Sequence, residues 1–257
     1  MTTKQKSWIS LAGFLVVIVL NYLVASGLFP WLAPQKEVSQ MYQTSITPAG
    51  YTFSIWGVIY LLLFATIVQM IRKASHPETS KLTDEITPFL WGMYFFNVLW
   101  NIVFCAQWIE ASVLMILGYW VCLFWICDKV RKQSRGTALP AVAFGIHLGW
   151  LTIATIVNVY AMLVKLRWSW LGLSTDLWIL LAVVIAVLAT SMLQTKLRNT
   201  VLPLSLIWAF IGIGVRLEVF GHLLQPVPIT LIAGILILTA LTVLTYAKNE
   251  FKWSPER

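Results

Sequence analysis

Apolar runs of about 20 residues recur along the whole chain, and each is long enough to cross a hydrocarbon core of about 30 Å. They fall at roughly Trp8–Leu28, Tyr51–Ile71, Thr87–Trp108, Ala111–Val130, Ala141–Leu163, Leu177–Leu193, Val201–Phe220 and Ile229–Tyr246. In lipid such runs must be helical, because a lone strand leaves its backbone groups unpaired. Alternation of polar and apolar residues is absent, which excludes a barrel. Only 11% of the 257 residues are charged and 59% are hydrophobic, whereas a soluble domain has about 25% charged residues. The sequence predicts an all-α integral membrane protein with eight spans.

The placement of charge supports that count. Net charge is +8, but in a membrane protein this does not argue for nucleic acid. Fourteen of the 18 Lys and Arg follow spans two, four, six and eight or precede span one. They are Lys4, Lys6, Arg72, Lys73, Lys81, Lys129, Arg131, Lys132, Arg135, Lys196, Arg198, Lys248, Lys252 and Arg257. The other side holds Lys36, Lys165, Arg167 and Arg216. The positive-inside rule assigns the first side, with both termini, to the cytoplasm. Span one is too long for the core of a cleaved signal peptide. The absence of a long presequence favours a bacterial plasma membrane over an organelle. Trp168 and Trp170, with Arg167, suit the outer membrane interface. Cys105, Cys122 and Cys127 have no metal-ligand spacing and form no disulfide framework.

Three spans carry polar and aromatic residues on one face. In span two, Phe53, Trp56 and Tyr60 share an arc of about 100°, directly after the turn at Pro48. In span three, Asn97, Trp100, Asn101 and Phe104 share a similar arc. In span five, His147, Trp150, Ala154 and Asn158 lie together, while Gly145 and Gly149 lie on the opposite face. That glycine face lets another helix approach closely. Amides and imidazoles are expensive to show to lipid, so these faces look inward. They are read either as interhelical glue or as the walls of a cavity for a flat apolar ligand with a few polar groups.

"TPAGYTFSIWGVIY", "FFNVLWNIVF" and "GWLTIATIVN" resemble the translocator protein family, also called tryptophan-rich sensory proteins or TspO. The second-helix motif of that family is matched in type by Pro48, Phe53, Trp56 and Tyr60. Ala49 replaces a proline, Tyr51 stands where Trp is usual, and the Phe53-to-Trp56 gap is one residue shorter. In the third helix Asn97 and Trp100 match, with Asn101 in place of Ser. In the fifth Trp150, Ala154 and Asn158 match, while Ile146, His147 and Ile153 depart from Pro, Tyr and Phe. The resemblance covers residues 1–164, and the 14 tryptophans suit it. It implies a five-helix ligand-binding bundle, followed at 165–257 by three additional transmembrane helices. It also implies a tetrapyrrole ligand and a lid formed by the Phe29–Gly50 connection. Phe53, Trp56 and Tyr60 would stack on the ligand, with Trp100, Phe104 and Ala154 beside them. Asn97, Asn101 and Asn158 would orient its polar groups. His147 would meet a ligand carboxylate, or the metal of a metallated ligand.

The short pattern Val157, Tyr160, Lys165 fits a sterol motif of low specificity, so a sterol ranks behind a tetrapyrrole. No cofactor is required. The lipid bilayer and a hydrophobic small molecule are the expected partners, with a homodimer an open option. Arg72 to Ile86 reads as a solvated linker. Asp176 and Arg216, both on the outer side, are expected to pair, with Glu218 and His222 near the same surface. No nucleophile–base pair, metal cluster or phosphate loop is visible, so the expected function is a sensory ligand-binding protein rather than an enzyme. A transporter of such a compound, or a structural protein with no saturable ligand, are the alternatives.

Overall fold

The computed structural model describes residues 1–133, 138–168, 172–221, 225–250 and 252–254, with the side chain of Phe220 not described. Arg135, Trp170, His222 and Arg257 lie outside the described residues. Nine α-helices and no strand are present among the described residues. They are α1 (Thr3–Ala25), α2 (Gln35–Met41), α3 (Ile55–Arg72), α4 (Pro77–Cys105), α5 (Ile109–Lys132), α6 (Ala138–Lys165), α7 (Thr175–Leu197), α8 (Leu202–Arg216) and α9 (Pro226–Lys248).

Seven of these are long and apolar enough to cross a membrane: α1, α4, α5, α6, α7, α9 and α3 with its preceding 3-10 turn Gly50–Ser54. The seventh predicted span is shorter than expected. Its helix α8 has 15 residues, a rise of about 22 Å. A short helix is tolerated because most of α8 is covered by protein rather than lipid. Leu202, Leu206, Ala209, Phe210, Gly212 and Ile213 are all buried. Lipid-facing apolar side chains instead concentrate on helices such as α1 (Leu15, Val16, Val19), α7 (Val184, Ile185, Leu188) and α9 (Leu236, Ile237, Val243).

Five helices close a ring in which α1 packs on α4, α4 on α5, α5 on α6, α6 on α3, and α3 on α1. The last three pack beside it, with α8 against α6 and with α7 and α9 against α8 and each other. Helix α6 is central: 61% of its apolar window is buried, against 22–39% for the other long helices. The Gly145/Gly149 face receives the start of α8. A methyl at Gly149 would meet the Leu202 carbonyl oxygen, and one at Gly145 would meet the Asn199 carboxamide. Ser205 Oγ donates to the Ile146 carbonyl at 2.7 Å across the same contact.

The N-terminus and the C-terminal end of α9 lie on one face, the terminal face. Lys6 pairs with Asp84 at the start of α4 at 2.7 Å, and Lys129 at the end of α5 approaches Glu85 at 3.8 Å. Asn199 Nδ2 donates to the Ala141 carbonyl at 2.8 Å, and Asn249 Nδ2 to the Arg198 carbonyl at 2.7 Å. The basic connections are thus gathered on the terminal face.

The stretch read as a solvated linker is largely helix. Helix α4 begins at Pro77, which occupies the first turn where its missing N–H costs nothing. Leu82, Thr83 and Ile86 are buried there, beside Thr66, Gln69 and Met70 of α3 and Pro140 of α6, while Ser80 and Asp84 meet Thr3 and Lys6 of α1. Pro88 lies inside α4. At the other end the helix stops at Cys105, and Gln107 takes a left-handed φ of 63°.

Candidate functional site

A cavity of about 780 Å³ opens between α3, α4, α6 and α8, toward the face opposite the termini. This is within the range of small-molecule sites. Its floor is three tryptophans, each the deepest lining residue on its long helix: Trp56 on α3, Trp100 on α4 and Trp150 on α6. Two of these rings meet edge to face. Trp56 and Trp150 have centroids 6.4 Å apart, and Phe53 crosses Trp150 at 5.8 Å. Trp100 stacks on Phe104 at 5.2 Å. Above the floor, α6 adds Ile153, Ala154, Val157, Asn158 and Ala161, and α8 adds Ala209 and Arg216.

The connection between α1 and α3 forms the roof. Gln35, Lys36, Ser39 and Gln40 from α2, followed by Tyr42, Gln43 and Thr47–Gly50, line the cavity from above. This segment is pinned at both ends. Val38 is fully buried among Phe104, Ile109 and Ala161. Ala33 N donates to the Cys105 carbonyl at 3.1 Å and Ala49 N to the Gly212 carbonyl at 3.0 Å. Trp208 Nε1 donates to the Thr52 carbonyl at 2.8 Å. The far end of the roof is therefore held by α8.

Seven of the eleven residues singled out in the sequence line this cavity: Phe53, Trp56, Trp100, Phe104, Trp150, Ala154 and Asn158. Asn158 is fixed from two sides, accepting from Trp100 Nε1 at 2.7 Å and donating to Ser112 Oγ at 2.8 Å. Tyr60, Asn97, Asn101 and His147 are not in the lining. Tyr60, Asn97 and His147 sit about one turn below the tryptophan floor, and Asn101 lies on the edge of α4 that faces α1. Asn21 of α1 gathers three of them, its Nδ2 donating to Asn97 Oδ1 at 2.7 Å and to Tyr60 Oη at 3.1 Å. Asn101 Nδ2 donates back to Asn21 Oδ1 at 3.2 Å. His147 is fully buried, and its Nε2 shares a 2.6 Å hydrogen bond with Tyr119 Oη. These four side chains serve helix contacts, because their polar atoms face neighbouring helices rather than the open volume.

Sequence reasoning passed over Asn21 and the place of Arg216, and took the α2 residues only as part of the connection implied as a lid. A lone amide within an apolar span was the available signal for Asn21. Arg216 does not pair with Asp176, which is exposed. Its Nη2 donates instead to the carbonyls of Thr44 at 3.0 Å and Ser45 at 2.6 Å, because the end of α8 is directed at the roof. The ion pair formed on this face among the described residues is Lys165 with Glu110, at 2.7 Å. The three cysteines are free, and no cluster of metal-binding side chains occurs among the described residues.

The fold is that of a multi-pass, all-α integral membrane protein with a roofed cavity on one face. A family model described as TSPO-like protein matches residues 7–244. The chain belongs to the TSPO-like family, and the match runs past the five-helix ring through α7 and α8 and into α9. No curated protein and no solved structure matches the chain.

Proposed function

We propose that the protein is a membrane ligand-binding protein of sensory type that takes a flat hydrophobic molecule, a tetrapyrrole first, into the roofed cavity. The observation that carries this reading is the floor of Trp56, Trp100 and Trp150 under a ligand-sized volume. Aromatic faces stack on a flat apolar body, and each such pair contributes about 0.5–1.5 kcal/mol beyond area burial. Asn158, held by Trp100 and Ser112, is a preorganised polar group at the wall. Family membership supports the reading, as does the closure of the cavity by a pinned segment. By the positive-inside rule the terminal face is cytoplasmic, so the cavity opens toward the opposite side of the membrane.

The test is quenching of tryptophan fluorescence by protoporphyrin in purified protein. Ala154 lies on the wall between Trp150 and Asn158, so Ala154→Trp fills the volume. Saturable quenching abolished by Ala154→Trp is the expected result. Linear quenching, the same in wild type and Ala154→Trp, refutes the proposal. Asn97→Ala, below the floor, is expected to leave the affinity within about twofold, since it makes no contact with the cavity.

A further inference from the structure

The cavity is chemically two-ended. Its floor is aromatic, while its mouth carries two cations, Lys36 and Arg216, and no Asp or Glu lines it among the described residues. Arg216 is partly buried and has no carboxylate within ion-pair distance among the described residues. Both of its hydrogen bonds leave Nη2 for neutral carbonyls. Its Nε is buried with no partner. A guanidinium carries five N–H donors in a planar fork suited to a carboxylate. Removing such a charge from water without a counter-charge is costly, so the unmatched donors mark a place for an anion.

We propose that Arg216 recognises the acidic end of the ligand, so that the cavity selects a flat apolar body bearing a carboxylate over its neutral counterpart. This rests on the cavity reading above and adds the ligand's charge to it. Ala209 and Arg216 both line the cavity on α8, and seven residues of helix separate them by about 10 Å along its axis. Arg216 is level with the roof, whose Thr44 and Ser45 carbonyls it holds, so it meets the end of a ligand that points away from the floor. The charge is supplied by α8, outside the five-helix ring. The same residue holds Thr44 and Ser45, so anion binding at Arg216 is linked to the seating of the roof.

The test uses 1-pyrenebutyrate and its methyl ester, read by energy transfer from tryptophan in reconstituted protein. Partition of each probe into the bilayer cancels when the acid-to-ester affinity ratio is compared between wild type and variants. Arg216→Gln is expected to lower that ratio about tenfold, the scale of one charged hydrogen bond. Gln43→Glu tests the same point without removing the roof contacts. Gln43 is exposed and lines the cavity next to Thr44, so a carboxylate there competes for Arg216 and also lowers the ratio. If Arg216→Gln does not fold, Gln43→Glu decides. Saturable binding with one ratio in wild type and every folded variant overturns the Arg216 inference and leaves the cavity reading standing. No saturable binding of either probe, or binding indifferent to Ala154→Trp, overturns the cavity reading and this inference with it.

Discussion

Gly149→Ala is a sharp test of how α8 is held against the ring. The added methyl meets the Leu202 carbonyl oxygen, with the Leu202 carbonyl carbon at 3.1 Å and Ser205 Cβ at 3.2 Å. The first obstacle is backbone and cannot rotate aside, so α8 has to move. Overpacking of this kind costs about 1–3 kcal/mol, and a backbone obstacle belongs at the upper end. Alanine in a helix interior recovers about 1 kcal/mol of propensity relative to glycine. The net expectation is a loss of about 2 kcal/mol. Gly57→Ala is the matched control, because nothing lies within 4 Å of its new methyl. It is expected to gain about 0.5–1 kcal/mol, leaving a gap of about 3 kcal/mol between the two variants. Equilibrium unfolding in mixed SDS and detergent micelles measures the gap. Since α8 carries Arg216 to the cavity mouth, Gly149→Ala also weakens the acid probe. A Gly149→Ala protein as stable as Gly57→Ala would refute the close packing of α6 on α8.

Three further outcomes are expected. Asn21→Ala strands the amides of Asn97 and Asn101 and the Tyr60 hydroxyl, costing about 1–3 kcal/mol by the same unfolding assay, with ligand affinity unchanged because none of the cluster lines the cavity. Val38→Ala removes two methyl groups from a fully buried site and destabilises the roof by about 1–2 kcal/mol; limited proteolysis between Phe29 and Gly50 should accelerate, and an unchanged cleavage rate counts against a pinned roof. Asp176→Ala and Arg216→Ala should be additive in melting temperature, since the two side chains have separate environments; a coupling above about 0.5 kcal/mol argues for the ion pair that the sequence suggested.

The aromatic and amide stripes were visible in the sequence because helical periodicity alone puts their residues on one arc. The division of each arc was not. On α4, Trp100 and Phe104 face the cavity while Asn97 and Asn101, on the adjoining edge, face Asn21 of α1. A helix rotation of a few tens of degrees decides between those environments, and periodicity carries no information at that scale. Depth was hidden in the same way. Trp56 and Tyr60 are one turn apart, yet one is floor and the other bonds to α1. The pairing expected of Arg216 failed because proximity to one face of the membrane does not fix direction. The end of α8 is aimed at Thr44 and Ser45, whereas Asp176 opens α7 on an exposed edge.

The sequence by itself determined a helical membrane protein, its long spans and the gathering of positive charge on one face. These follow from run length, backbone satisfaction in lipid and charge counts, all of which are local properties. It also supplied the glycine face of α6, because small residues permit approach whatever the partner is. Only the tertiary structure decided that the partner is α8, that α8 brings Arg216 into the cavity mouth, and that α2 roofs the volume. Those facts depend on which helix fills which groove. That choice is made by the sum of contacts such as Gly149 on Leu202 and Val38 on Phe104, and no single segment encodes it.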